Sequence, residues 1–206
     1  MIAVIDYGVG NLFSLTASLK YLGADVKVTG EKEEIEAADR IILPGVGAFA
    51  DAKEKLDQTG LVETVLEQTA DGKPLLGICL GMQLLFDESH EYGVHKGLGL
   101  IKGKIASIDE DLKKNGIAGL KVPHIGWNSL QFEKDEPLFR YNKPGDYVYY
   151  VHSFYGTDCE DSTIATSEYG VTITGAVRSG KVYGTQFHPE KSGEAGLKML
   201  KAFMEV

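Results

Sequence analysis

The stretch Lys73–Phe86, Lys-Pro-Leu-Leu-Gly-Ile-Cys-Leu-Gly-Met-Gln-Leu-Leu-Phe, carries two different apolar patterns on either side of one cysteine. The short apolar run Leu75–Ile78 predicts a buried strand that stops at Cys79. Beyond the cysteine, apolar residues recur at helical intervals as far as Phe86, and this spacing predicts a helix. The chain must therefore turn sharply from strand to helix at Cys79.

Two glycines, Gly77 and Gly81, flank this turn symmetrically. A tight corner crowds the backbone on both sides of its apex, and only glycine has no Cβ to obstruct it. The pattern is the thiol counterpart of the nucleophile elbow, where a serine occupies the apex. Cys79 would then lie at a helix N-terminus, where the helix dipole and unpaired N–H groups favour a thiolate. The sequence predicts a nucleophilic cysteine, and a buried structural cysteine is the alternative.

A thiolate that attacks an acyl group needs a base that also hands a proton to the leaving group. Of the five histidines, only His188 lies in a sequence that suggests this role, Tyr-Gly-Thr-Gln-Phe-His-Pro-Glu-Lys. Pro189 favours extended backbone at His188, and residues two apart in extended backbone share a face. We therefore expect Glu190 to hold one ring nitrogen while the other faces the thiol, as in a triad. The alternative is a surface turn that contains His and Glu.

A glycine-rich loop, Pro44–Phe49, follows the predicted strand Arg40–Leu43. Loops at the carboxyl ends of parallel strands are where α/β sheets build their sites. A plain tight turn is the alternative. In an acyl-transfer site, backbone N–H groups of this loop would stabilise the tetrahedral oxyanion together with the residue after the nucleophile. The predicted oxyanion residues are Gly45, Val46, Gly47 and Leu80.

The motifs Gly-Ile-Cys79-Leu-Gly-Met-Gln83 and Gln-Phe-His188-Pro-Glu190-Lys-Ser resemble those of the class I glutamine amidotransferases. The resemblance covers essentially the whole chain. It implies a glutaminase that releases glutamate and ammonia through a cysteine thioester, without a cofactor. The stretches Asp6–Leu12 and Pro123–Asn128 resemble the branch of this family whose members pass ammonia to a synthase (cyclase) barrel subunit, as a heterodimer, in histidine biosynthesis.

The resemblance also implies roles for further residues. Relatives often carry Tyr where this chain has Phe154, so that hydroxyl cannot contribute here. From its sequence surroundings alone, we expect His152 to be a hydrogen-bonded structural histidine beneath the pocket. Ile125 replaces a residue that is often Met in relatives. The residues implied to contact substrate glutamine are Gly47, Gln83, His152, Ser153 and Phe154. The residues implied to dock on the barrel are Asn11, Pro123, His124, Trp127, Asn128 and Tyr149.

Length and composition exclude several classes of protein. The 206 residues fit one domain, residues 1–206, and a net charge of −9 argues against non-specific binding to nucleic acid or anionic membrane. No long apolar run or signal peptide is evident, and no histidine pair has metal-ligand spacing. We therefore expect no metal. A nucleophilic thiol suits a reducing cytoplasm, and Cys159, in a polar loop, is expected to be incidental.

Asn11 is a candidate helix cap, and Gly8 and Gly10 do not make a dinucleotide loop because Phe13 replaces the third glycine.

Strands and helices alternate in the first half of the chain, and short β-type runs dominate the second. This order predicts a three-layer α/β/α sandwich with a central mixed, mostly parallel sheet. The strands predicted in the second half are 101–108, 120–122, 129–132, 147–151, 163–167, 172–177 and 182–187, and a final helix spans 194–204.

Three other functions remain open from the sequence. The same triad would serve another glutaminase subunit, such as that of anthranilate synthase. A non-catalytic binding module could retain the fold, although an intact Cys79, His188 and Glu190 argue against it. A cysteine peptidase is disfavoured by the match to the glutaminase motif around Gln83.

Overall fold

The computed structural model describes residues 1–206 as seven α-helices and fourteen β-strands. The helices are α1 Leu12–Tyr21, α2 Lys32–Ala37, α3 Phe49–Gln58, α4 Leu61–Ala70, α5 Leu80–Leu84, α6 Ile108–Lys114 and α7 Gly193–Phe203. The strands are β1 Ile2–Ile5, β2 Val26–Thr29, β3 Arg40–Leu43, β4 Leu75–Ile78, β5 Phe86–Ser89, β6 His95–Lys96, β7 Ile101–Ser107, β8 His124–Ser129, β9 Gln131–Phe132, β10 Tyr147–His152, β11 Phe154–Thr157, β12 Thr163–Tyr169, β13 Val171–Ser179 and β14 Val182–Thr185.

The main sheet has eight strands in the order β2-β1-β3-β4-β14-β13-β12-β9. Its neighbours from β2 to β14 are parallel, and those from β14 to β9 are antiparallel. The predicted mixed sheet is therefore confirmed. Because β3, β4 and β14 are neighbours and parallel, their carboxyl ends meet at one edge of the sheet.

Alternate side chains of the parallel strands enter two separate cores. Ile2 and Val4 of β1 pack with apolar residues of α1, α6 and α7. Ala3 and Ile5 pack instead with apolar residues of α2, α3 and α4. This alternation follows from the period of a strand and places helices on both faces of the sheet. The predicted three-layer sandwich is confirmed.

Two smaller sheets, which the sequence patterns did not predict, stand beside the main one. One pairs β8 with β10, and the other has the order β11-β7-β5-β6. The N–H of His188, just after β14, donates to the carbonyl of Tyr149 in β10 at 3.0 Å. The β8–β10 pair is therefore anchored at the carboxyl end of the central strands. None of the helices has the length and apolar content needed to cross a bilayer.

The predicted elbow helix is shorter than its apolar spacing suggested. It ends at Leu84, and Phe86 already belongs to β5. The carbonyls of Leu84 and Leu85 accept N–H groups from the distant residues Leu98 and Leu100 at 2.8 Å. The helix stops because these long-range bonds use the carbonyls that another helical turn would need.

One further prediction for the second half of the chain was wrong. Residues 120–122 form no strand, and β8 begins instead at His124. The predicted strand 101–108 was confirmed as β7, which ends one residue earlier because α6 begins at Ile108. Ser107 Oγ caps the start of α6 by accepting the N–H of Glu110 at 3.3 Å. Cys159 lies outside any strand, as expected, and it is buried.

Candidate active site

Cys79 occupies the turn between β4 and α5 with a left-handed backbone, φ 54° and ψ −111°. Non-glycine residues rarely adopt this conformation, so the surrounding structure must impose it. A Cβ at Gly81 would lie 1.9 Å from the carbonyl oxygen of Leu43, and one at Gly77 would lie 2.7 Å from that of Gly81. The sharp turn predicted at the cysteine is thus present, and both glycines are needed for its close packing.

His188 and Glu190 form a buried pair behind the cysteine. His188 Nδ1 lies 2.7 Å from Glu190 Oε1, and the two side chains are 2% and 3% exposed. His188 is extended, as predicted, but Pro189–Lys191 forms a 3-10 turn. Glu190 therefore reaches the ring through this turn and not along an extended strand. His188 Nε2 has no hydrogen-bond partner in the protein and remains available to reacting groups.

The surroundings of His188 favour its charged form. Burial alone would lower its pKa, but the neighbouring Cys79 and Glu190 together raise the pKa to about 10. A hydrogen-bonded carboxylate on one nitrogen stabilises the imidazolium and fixes the ring. The histidine is therefore prepared to give a proton to a leaving group.

Two elements meet where the oxyanion is expected. Leu80 is the first residue of α5, so its N–H has no acceptor inside the helix. The loop after β3 packs so closely on this helix that a Cβ at Gly45 would lie 2.9 Å from Leu80 Cβ. The buried Tyr7 hydroxyl donates to the carbonyl of Pro44 at 2.7 Å and holds the loop from the other side. Tyr7 was not singled out by the sequence patterns.

A cavity of about 370 Å³ opens over these groups. Its walls include most of the residues predicted to be catalytic, to form the oxyanion hole or to bind substrate. Gly45 and Glu190 lie behind the wall, and Pro123, predicted at the interface, lies on it. The lining residues are Val46, Gly47, Cys79, Leu80, Gln83, Glu91, Tyr92, Pro123, Val151, His152, Ser153, Phe154, His188 and Lys191.

Gln83 is held with a defined orientation at the base of the cavity. Its Nε2 donates to the carbonyl of Phe154 and to Gln186 Oε1, both at 3.0 Å. Gln186 Nε2 in turn lies 3.8 Å from Cys79 Sγ. Because the amide nitrogen of Gln83 is fully used, its Oε1 is the atom available to a ligand.

The cavity contains one buried carboxylate that sequence reasoning missed, Glu91. Its Oε2 accepts the N–H of Phe49 at 2.8 Å, and burial raises its pKa although this bond acts in the opposite direction. Burial destabilises the ionised form of this carboxylate, and a cationic ligand group beside it would stabilise that form. Lys191, exposed in the cavity wall, offers the opposite charge. Glu91 lies in a turn without a distinctive pattern, and Lys191 directly follows the His188–Glu190 motif; the fold shows that both line the cavity.

His124 was predicted at the partner interface, but its side chain is only 2% exposed. Its ring stacks between Tyr150 and Tyr169, and its Nδ1 lies 2.9 Å from His152 Nε2. It cannot offer a contact surface in this structure, which corrects that assignment. His152 Nδ1 bonds the carbonyl of Phe154 at 2.8 Å, as expected for a structural histidine beneath the pocket. Burial lowers the pKa of His124 to about 4 and that of His152 to about 3.

Three other residues predicted for docking, Trp127, Asn128 and Tyr149, lie on the β8–β10 pair. Trp127 is 55% exposed, and its ring meets the half-buried Tyr149 edge-on at 6.0 Å. Asn128 turns its amide inward, toward His124 and the carbonyl of Glu168. Asn11 occupies the N-cap position of α1 but makes no capping bond through its side chain, so that expectation was wrong.

Comparison with known proteins identifies the family. The sequence model described as "Glutamine amidotransferase class-I" matches residues 3–206. The chain is 48% identical over 207 residues to the "Imidazole glycerol phosphate synthase subunit HisH" of Caldanaerobacter subterraneus subsp. tengcongensis, covering 100% of this chain and 98% of the relative. It is 50% identical over 208 residues to the subunit of the same name from Bacillus cereus (strain G9842), covering 100% and 95%.

Solved structures share the fold at low sequence identity. A "Crystal structure of glutamine amidotransferase" superposes with a TM-score of 0.75 at 20% identity, covering 100% of this chain and 98% of that one. "Structure of PurLQS from Thermotoga maritima" gives 0.76 at 20% identity, covering 99% and 97%. The chain therefore belongs to the class I glutamine amidotransferase family, as a relative of the HisH subunits of imidazole glycerol phosphate synthases.

Proposed function

We propose that this chain is the glutaminase subunit of an imidazole glycerol phosphate synthase and hydrolyses L-glutamine to L-glutamate and ammonia. The observation that carries the proposal is the positive φ of Cys79 at the end of β4, where Cys79 and His188 line one cavity and Glu190 holds His188 from behind its wall. The names of the HisH relatives, similar over their whole length, agree with this function. The resemblance of 6–12 and 123–128 to that branch points the same way.

In the first step, Cys79 Sγ attacks the side-chain amide carbon of glutamine. The carbonyl electron pair moves to oxygen, and the oxyanion accepts hydrogen bonds from Leu80 N–H and from the loop 45–47. His188 then gives its Nε2 proton to the amide nitrogen, the C–N bond breaks, and ammonia leaves. The product of this half-reaction is a thioester between glutamate and the cysteine.

Water completes the reaction. His188, now neutral, takes a proton from the water molecule, whose oxygen attacks the thioester carbon. The C–S bond breaks, the thiolate returns and glutamate is released. Glu190 stays ionised and stabilises the imidazolium in both half-reactions. The cycle is a hydrolysis, so it needs neither an oxidant nor a reductant.

The charges around the cavity fit an amino acid in its zwitterionic form. We assign Glu91 to the α-ammonium group and Gln83 Oε1 to a further hydrogen bond with it. Lys191 and the backbone N–H groups of Ser153 and Phe154 are assigned to the α-carboxylate. Bound at both ends, the substrate would present its side-chain amide to Cys79.

We further propose that the ammonia is delivered to a synthase (cyclase) barrel subunit that makes imidazole glycerol phosphate in histidine biosynthesis. Exposed aromatic residues are favoured anchors of protein interfaces, which supports the face that carries Trp127 and Tyr149 as the docking surface. Pro123 links this face to the cavity wall. Both cysteines are free, and a nucleophilic thiol supports a cytoplasmic location.

The proposal is tested with Cys79→Ala in the complex with the barrel subunit, and Cys159→Ala is the matched control at the other thiol. Glutamine-dependent synthesis should fall by at least roughly 10³-fold for Cys79→Ala, because no nucleophile remains. Synthesis from added ammonium should persist, and Cys159→Ala should retain both activities. Glutamine hydrolysis by the Cys79→Ala protein would refute the assignment. Complex formation with the synthase subunit of anthranilate synthase, and not with the cyclase, would redirect the function to another glutaminase.

A further inference from the structure

A chain of buried hydrogen bonds connects the docking strand β8 to the active-site cavity. Asn128 Nδ2 lies 3.3 Å from His124 Nε2, and His124 Nδ1 lies 2.9 Å from His152 Nε2. His152 Nδ1 lies 2.8 Å from the carbonyl oxygen of Phe154. Every histidine nitrogen in this path therefore faces one defined partner.

The direction of each bond in the path is fixed from its inner end. The carbonyl of Phe154 can only accept, so His152 Nδ1 must carry a proton, and in the neutral ring Nε2 is then an acceptor. His124 Nδ1 must therefore donate to it, which leaves His124 Nε2 as an acceptor for Asn128. The Asn128 amide is oriented independently, because its Nδ2 also donates to Glu168 O and its Oδ1 accepts the N–H of Ser129.

The same carbonyl orients the substrate pocket. Phe154 O also accepts from Gln83 Nε2 at 3.0 Å, and this bond determines which way the Gln83 amide faces. Gln83 continues to Gln186, which lies 3.8 Å from Cys79 Sγ. The carbonyl of Phe154 is thus the junction between the histidine pair and the groups that surround the thiol.

We propose that Asn128, His124 and His152 are positioning residues for the substrate. They form a one-directional relay of hydrogen bonds that holds the Phe154 carbonyl, and through it the Gln83 amide, with Gln83 Oε1 facing the cavity. The inference rests on the proposed function in so far as the ligand is glutamine. Both rings act as neutral Nδ1–H tautomers and exchange no proton with the substrate.

The packing around the pair preserves this neutral state. His124 is enclosed by the rings of Tyr150 and Tyr169, and His152 also faces Tyr150 and feels the charge of His188. A proton on His152 Nε2 would point at the N–H of His124, and it would place a second cation beside the His188 imidazolium. Protonation of His152 would therefore break its hydrogen bond with His124, and the added charge would repel the His188 imidazolium.

The first test reads the tautomers directly in the full-length wild-type chain. Long-range ¹H–¹⁵N correlation spectra of ¹⁵N-histidine protein distinguish protonated from unprotonated ring nitrogens. We expect Nδ1–H tautomers at both His124 and His152. An Nε2–H tautomer, or a charged ring, at either position at neutral pH would overturn the relay.

The second test compares two substitutions that remove the same ring. In His152→Asn, the side-chain amide nitrogen takes the place of Nδ1 and still donates to Phe154 O, whereas His152→Leu has no donor. The probe is 6-diazo-5-oxo-L-norleucine, an electrophilic glutamine analogue, and labelling of Cys79 is followed by mass spectrometry. The rate of labelling by this analogue is divided by the rate of labelling by iodoacetamide, which reacts with the Cys79 thiol without needing the glutamine subsite. The ratio corrects for any change in the reactivity of the thiol itself.

The half-saturation concentration of the analogue should rise about tenfold or more in His152→Leu, because the carbonyl loses a buried donor. In His152→Asn it should stay within about threefold of wild type. Both variants lose the packing of the ring, and only His152→Leu also loses the hydrogen-bond donor. Equal half-saturation concentrations for the two variants would therefore overturn the positioning role. If the analogue does not label wild-type Cys79, the proposed function fails, and the tautomers still decide whether the relay exists.

Discussion

Gly81→Ala adds one methyl group at the point where the elbow helix touches the central sheet. The new Cβ would lie 1.9 Å from the carbonyl oxygen of Leu43, whereas real Cβ contacts essentially never fall below 3.0 Å. The helix α5 or the end of β3 must therefore move by about 1 Å, because packed backbone has little room to yield. That movement separates Leu80 from the loop after β3, and these two carry the proposed oxyanion donors.

The two consequences of this shift differ in size. Overpacking costs about 1–3 kcal/mol, and the better helix propensity of alanine returns about 1 kcal/mol, so the net loss of stability is about 0–2 kcal/mol. For a chain of this length the melting temperature should fall by no more than about 8 °C. A misplacement of about 1 Å in the catalytic geometry costs on the order of 10²-fold in rate. The variant should thus fold and yet lose most of its activity.

The assay is kcat/KM for glutamine hydrolysis in the complex with the synthase subunit, with calorimetry of the isolated chain. Gly72→Ala is the matched control, since it has open space around the new Cβ but a left-handed φ of +84°. It should lose about 1 kcal/mol through backbone strain and keep its activity. A Gly81→Ala enzyme with kcat/KM within about threefold of wild type would refute the idea that this contact fixes the oxyanion site.

Two further variants test other parts of the site. Glu190→Gln removes one of the two groups that raise the pKa of His188 to about 10. The imidazolium should then be lost at lower pH, so the alkaline limb of the kcat/KM profile should move down in pH and its maximum should fall on the order of 10²–10⁴-fold; an unmoved limb would exclude Glu190 as the orienting group. Trp127→Ala should weaken binding of the barrel subunit on the order of 30-fold, measured by calorimetric titration. Unchanged affinity would move the interface elsewhere.

The sequence was most informative where local sterics decide the structure. Gly77 and Gly81 predict the turn at Cys79 because both the crowding and its relief lie within a few residues. The pairing of His188 with Glu190 was also predicted, although a 3-10 turn achieves it rather than extended backbone. The sequence therefore predicted the contact between the two side chains, but not the backbone conformation that makes it.

Features that depend on distant partners escaped prediction. The helix α5 ends where the N–H groups of Leu98 and Leu100 bond to its last carbonyls, and no pattern in the neighbouring sequence indicates these bonds. Glu91 becomes a buried acid only because its turn folds against Phe49. The helix α6 is a different case, since Ser107 and Glu110 form the spacing of a capping box that was available in the sequence.

The place of β14 in the sheet has a consequence for how the protein is made. This strand fills the gap between β4 and β13, yet it follows both of them in the sequence and is therefore synthesised after them. Until it inserts, β4 presents an unpaired apolar edge, Leu75–Ile78, of the kind that other chains can bind and aggregate on. His188 follows just after β14 in the chain. A nascent chain therefore has no working active site until β14 has paired with β4 and β13.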